Sequence, residues 1–131
     1  MASLQERLLN VLAEVVRADA ETDGAVTVHH DGTIASLRVV QITDDLDLVS
    51  LTQVIAWDLS VNKKLRDAVA DQARSTLLGS VALIEKPGRS GDLILRYNFP
   101  GNGLNDDALR TLTLMVLDKG AEIRASLLER P

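Results

Sequence analysis

His29 and His30, followed at once by Asp31, are the residues best equipped to do chemistry, and they are the only histidines in the chain. Adjacent imidazoles beside a carboxylate invite a metal reading. On an extended backbone, however, neighbouring side chains point to opposite faces, so the pair cannot close on one ion and reads as a solvated hairpin end. Asp44, Asp45 and Asp47 offer oxygen ligands for calcium. They lack the alternating spacing, central glycine and terminal glutamate of an EF-hand loop, and read as an acidic turn. The absence of cysteine excludes disulfides and thiolate metal sites. No metal and no cofactor are expected.

Nucleophilic catalysis needs a serine or threonine beside a histidine base and an orienting carboxylate. Both histidines sit at one hairpin, and no elbow-type serine motif occurs. Acidic residues are plentiful enough for a paired-carboxylate site, but no spacing selects a pair. Gly88-Arg89-Ser90-Gly91 matches the bare Gly-x-x-Gly of KH domains. That loop joins two helices, whereas this one lies between strand-like runs, so a hairpin turn is expected. Gly101-Asn102-Gly103 is a joint before a helix rather than a phosphate loop, since no Lys-Ser/Thr follows it. Lys63, Lys64 and Arg66 cluster near a helix start, where cations gain nothing from the dipole, and read as a solvated face.

The elements that must position these residues come from a chain of 131 residues, a length that suits one domain spanning 1–131. Net charge is −5 with no basic block, and Trp57, Tyr97 and Phe99 are the only aromatic residues. A nucleic-acid binder would show a basic stripe and stacking rings, and an anionic membrane would also call for positive charge. Neither partner is expected. Glu6, Arg7, Glu14 and Arg17 break the apolar run that a signal peptide needs, and no stretch approaches the ~20 apolar residues of a membrane span. Cytoplasmic residence follows as the expectation.

Leu4, Leu8, Leu12 and Val16 predict an amphipathic helix over 3–18, opened by a Ser3/Glu6 capping box. Ala25–His30 and Thr33–Ile42 read as strands joined by Asp31-Gly32, a strong hairpin signal. A long strand follows over 46–59, with Val49, Leu51, Ile55, Trp57 and Leu59 on its better core face, which places Trp57 in the core. Ser60 or Asn62 caps a helix to about Leu77, striped by Leu65, Val69, Ala73 and Leu77. Strands over 80–86 and 92–99 follow. Asn105 then caps a last helix, with Asp106 and Asp107 at the positive end of its dipole. Its stripe is Leu109, Leu112, Val116, Ile123 and Leu127, leaving Leu114, Met115 and Leu117 outside. The order is α-β-β-β-α-β-β-α with hairpin-joined strands, hence an α+β fold with an antiparallel sheet.

This order, together with Asp92-Leu-Ile-Leu-Arg-Tyr-Asn-Phe-Pro100, Gly103-Leu-Asn-Asp-Asp-Ala-Leu109 and the passage from Gln72 to Leu83, resembles the YbjN-like family, sometimes labelled bacterial sensory transduction regulators. That family shares its fold with the class I type III secretion chaperones. The resemblance implies a small, often dimeric binding domain that holds extended peptide segments and has no known catalytic site.

Apolar residues are in surplus for a sheet with one wet face. Ile34, Val40 and Ile42 oppose Leu37 and Val39 on the second strand, while Val54, Ala56 and Ile94 fall outside the better core faces. The first helix, a second subunit or a ligand peptide is expected to cover the second face. The leading expectation is a non-enzymatic peptide- or protein-binding module acting as chaperone or adaptor. Its candidate peptide-binding residues are Arg38, Val40, Thr52, Val54, Ile94 and Arg96. The alternatives are a homodimeric regulatory or structural subunit with no client, and, from another class, a small carboxylate-based hydrolase or isomerase. Dimerisation is expected to bury Leu114, Met115 and Leu117 about a two-fold axis.

Overall fold

The computed structural model describes residues 3–128. The Ser3 hydroxyl accepts from the Glu6 amide while the Glu6 carboxylate reaches back to the Ser3 amide, so the capping box starts α1 (Leu4–Ala13) as its spacing predicts. Leu4, Leu8, Val11 and Leu12 are its buried stripe. The helix stops short of the expected residue 18. Arg17–Ala20 instead form β1, paired antiparallel with β2 (Val26–His30). Val15 and Val16 continue the helical apolar spacing, but Val15 is exposed, and strand pairing overrides the periodicity.

Asp31 and Gly32 both take positive φ, 47° and 83°, which turns the chain tightly into β3 (Thr33–Thr43). β4 (Leu46–Ser60) returns beside it. Asn62 then caps α2 (Lys63–Ser75) by accepting from the Leu65 amide. This helix carries the chain past β6 (Ser90–Pro100) to the far edge, where β5 (Ser80–Lys86) pairs with it. Asn105 accepts from the Ala108 amide and opens α3 (Asp106–Leu128). The six strands form one sheet in the order β1-β2-β3-β4-β6-β5, every neighbouring pair antiparallel. The fold is the α+β antiparallel architecture expected, with β1 added at one edge.

All three helices pack on one face of this sheet. Leu4 of α1 lies against Val49 at Gly101, Gly120 of α3 lies against Gln53, and Val61, leading into α2, lies against Gly91. That face supplies Val28, Ala35, Leu37, Val49, Leu51, Ile55, Leu93, Leu95 and Phe99 to the core, where Val116, Leu117 and Ile123 of α3 meet them. The first helix therefore does not cover the second face.

Three expectations about the core are corrected. Val54 pairs with Ile94 but Ala56 pairs with Leu93, so β4 carries an extra residue there. This bulge turns both Ile55 and Ala56 inward and moves Trp57 out of the core, to 46% exposure. Leu77 lies beyond the end of α2 and is 89% exposed rather than on its apolar stripe. Leu117 is fully buried within its own chain's core and is unavailable to a dimer interface.

Candidate functional site

The face opposite the helices carries the six residues singled out from the sequence. Strand register arranges that face in rows. Ile34, Val54, Ile94 and Ala82 stand side by side across β3, β4, β6 and β5, with His29 beside Ile34 on β2. The next row is polar: Thr27, Ser36, Thr52, Arg96 and Ser80. Arg38, Ser50 and Asn98 follow, and then Val40, Leu48 and Pro100. Two apolar rows thus flank a band of hydroxyls and arginines. Val54 and Ile94 are neighbours in one row, Thr52 and Arg96 in the next. Val40 and Arg38 lie farther along β3.

The cations of this face differ in how they are compensated. Arg38 holds Asp23 at 2.7 Å, and that guanidinium, helped by the Ala25 amide, keeps the Asp23 carboxyl below the usual carboxylate range. Lys86 bonds Asp58 at 2.7 Å and Asp92 at 2.9 Å. The ammonium lowers the Asp92 pKa, with help from the Asp58 amide, and the two carboxylates raise that of Lys86. Arg96 is exposed and makes no ion pair among the described residues.

Trp57 is the residue that parity reasoning placed wrongly. Beyond the bulge, Trp57 and Asp58 together oppose Asp92, and Asp58 adopts φ 56°. Trp57 therefore continues the open face past Val54. Arg124 reaches from α3 past Gly32, where β3 begins, donates to the Ile55 carbonyl at 2.8 Å and lies 5.5 Å from the indole centroid. The run Val54-Ile55-Ala56-Trp57 is apolar throughout, so alternation alone does not mark the bulge; the register against β6 sets it.

The other candidates do not converge on a site. His29 and His30 point to opposite faces, and His30 Nε2 bonds Asp118 of α3 at 2.7 Å. The Thr33 hydroxyl donates to the main-chain carbonyl of His30 rather than to its ring. Among the described residues no group of three or more His, Cys, Asp or Glu gathers to hold a metal ion. Asp44 and Asp45 are exposed, while the amide of Asp47 is tied to Asn102 at 2.6 Å. Gly88 and Arg89 take positive φ in the β5–β6 hairpin turn. Leu114 is half-buried and Met115 is 52% exposed. Among the described residues no helix is long and apolar enough to cross a membrane.

No protein-family model matches the chain, and no curated protein matches it significantly. Solved structures do. YbjN from E. coli, described as a proposed transcription regulator, superposes with a TM-score of 0.61 at 11% identity, over 92% of this chain and 89% of YbjN. The Yersinia pestis type III secretion chaperone SycH, crystallised with a stable fragment of YscM2, gives 0.50 at 15% identity, over 92% of this chain and 99% of SycH. The chain has the YbjN-like fold, which it shares with a type III secretion chaperone.

Proposed function

We propose that this protein is a non-enzymatic protein- or peptide-binding module, a chaperone or adaptor, that holds a segment of a partner against the open face of its sheet. The observation that carries this reading is the one-sidedness of the fold. With all three helices on one face, Ile34, Val40, Val54, Ile94 and Trp57 are left at least partly exposed on the other. A wet sheet face ordinarily presents polar residues, and the adjoining Ile34, Val54 and Ile94, with Val40 beyond the polar band, are the apolar exposure that marks an interaction surface. SycH supports the reading, because it is a protein of this fold crystallised with a fragment of another protein. Against catalysis stands the orientation of the histidines to opposite faces, with His30 engaged by Asp118 and no nucleophile held at its ring among the described residues.

The test is the double variant V54K/I94K, which places two charges in the central apolar row. Its fold should be retained, since both side chains face away from the core. Immobilised wild-type protein should recover partners from the native host that the variant loses. Recovery of the same partners by both proteins would overturn the assignment.

Homodimerisation through the helical side is the second reading. Leu77, Leu78 and Met115 line a shared depression of about 340 Å³ between the end of α2 and the middle of α3. A dimer formed there leaves the sheet face free for a partner. Light scattering coupled to size exclusion should then show a dimer mass that L77K/M115K reduces to that of a monomer.

A further inference from the structure

We infer that the open face reads its partner in register: the segment it takes is extended, with alternate residues apolar, apolar and then acidic, and Trp57 anchors its first apolar side chain. The inference rests on the binding reading above and adds the chemistry of the partner. Successive rows on one face of a strand are two residues apart, about 6.7 Å, which is also the spacing of alternate side chains on an extended peptide. A segment lying along β4 and β6 therefore meets the rows one by one. Its first inward side chain meets Trp57 in the row of Asp92, two residues from Ile94 along β6 although the bulge makes it three along β4. Its second lies over Val54 and Ile94, and its third reaches Thr52 and Arg96.

Charge decides the third position. Arg38 has Asp23, Arg66 has Glu85, and Lys86 has both Asp58 and Asp92. Arg96 alone among the cations of the central rows has no carboxylate within ion-pair reach among the described residues, and hydroxyls stand on either side of it in its row. A carboxylate from the partner adds a charge-assisted hydrogen bond that the chain does not supply itself. A second copy stacked on this face with its two-fold axis at the Arg96 row would instead set that unpaired guanidinium against its own counterpart, and like charges opposite each other are unfavourable.

Trp57 suits an anchor because it is already held. Arg124 fixes the indole from one side while its own guanidinium is pinned on the Ile55 carbonyl. Partner contact with the other side costs little side-chain entropy, and Trp and Arg are the residue types that dominate binding hot spots. The bulge at Ile55–Ala56 is the device that re-aims the ring from the core to this face.

The probe is a blocked peptide, Ser-Val-Ser-Val-Ser-Glu-Ser, with two controls: lysine in place of glutamate, and the glutamate moved by one residue. Titrations read by Trp57 fluorescence, and by anisotropy of dye-labelled peptide for Trp57 variants, should show the first peptide binding at least fivefold more tightly than either control. R96E should reverse the preference between glutamate and lysine peptides. W57A should weaken all binding while keeping the glutamate preference. Equal binding of glutamate and lysine peptides, or a preference that survives R96E, would overturn the inference. If V54K/I94K loses the native partner while the peptides are not discriminated, the register reading falls and the binding reading stands. If V54K/I94K keeps the partner, both fall. A wild-type dimer that V54K/I94K splits into monomers assigns the face to a second copy and overturns the inference.

Discussion

Gly120 of α3 lies directly against the carboxamide of Gln53 on β4, and a Cβ placed on the glycine would overlap that side chain. Gln53 is fully buried, donates from Nε2 to the Thr33 hydroxyl at 2.9 Å and to the Leu117 carbonyl at 3.0 Å, and leaves Oε1 without a partner among the described residues. The missing side chain lets helix and sheet approach closely enough for one amide to bridge them. Thr52 and Val54, on either side of Gln53 in β4, face the other way into the open rows. The contact therefore braces, from behind, the part of the sheet assigned to partner binding.

Alanine at Gly120 gains about 1 kcal/mol of intrinsic helix propensity. It must also displace the Gln53 amide or push α3 off the sheet, overpacking that costs about 1–3 kcal/mol. The expected outcome of G120A is net destabilisation, up to about 2 kcal/mol, seen as a lower urea midpoint at an unchanged slope. In a Q53A background the same change should be neutral or stabilising, because the obstructing amide is gone. Strict additivity in that double-mutant cycle would show that the two residues do not share space.

Thr113 is fully buried in α3 and its hydroxyl oxygen has no partner among the described residues. Valine has nearly the same shape and removes the desolvated hydroxyl. T113V should raise stability by about 1 kcal/mol, measured by urea or thermal unfolding. Destabilisation would reveal a hydrogen bond at that hydroxyl.

Much of this architecture is legible in the residues, for physical reasons that differ by element. Caps at Ser3, Asn62 and Asn105, and the Asp31-Gly32 turn, act through side chains within a few positions, so local reasoning locates them. Alternation along β3, β4 and β6 separates the two faces well enough to gather Arg38, Val40, Thr52, Val54, Ile94 and Arg96 on one of them. What fails is what depends on pairing between distant segments. The β4 bulge is set by register against β6, so Trp57 is misplaced from parity alone. β1 exists because β2 offers it an edge, and nothing within 17–20 announces that. Leu117 is a different case: it stands four residues after Thr113 and three before Gly120, inside the buried stripe of α3, so its helical position alone places it.

The surface ion pairs carry a pH dependence whose sign is fixed by their shifts. Asp23, Glu85 and Asp92 have folded-state pKa values lowered by Arg38, Arg66 and Lys86 respectively. A depressed carboxylate contributes stability that is present above its unfolded value, about 4, and is lost as pH falls through the folded value. Lys86, raised by Asp58 and Asp92, contributes stability below its unfolded value that is lost only in strong alkali. Unfolding midpoints should therefore be flat from about pH 5 to 9 on account of these pairs and fall in acid. D92N should flatten part of the acid limb, and high salt should weaken the whole effect, since the groups are exposed. An acid limb unchanged in D92N would remove Asp92 from the account.

Trp57 offers the most direct check on the bulge, because it is the only tryptophan in the chain and its emission reports one position. A ring buried by strand parity would emit at short wavelength and resist quenching. At 46% exposure, with one side against Arg124, it should emit at longer wavelength and be quenched readily by acrylamide. Iodide should quench more than the chain's net charge of −5 would suggest, because the guanidinium concentrates anions at the ring. R124M removes that charge, the hydrogen bond to the Ile55 carbonyl and the cation–π contact together. It should lower iodide quenching relative to acrylamide quenching and cost about 1–2 kcal/mol of stability. Because the same guanidinium contacts the indole assigned as anchor, R124M should also weaken partner capture while leaving the distant row at Arg96 intact. A quench-resistant, blue-emitting Trp57 would return the ring to the core and take both the bulge and the anchor with it.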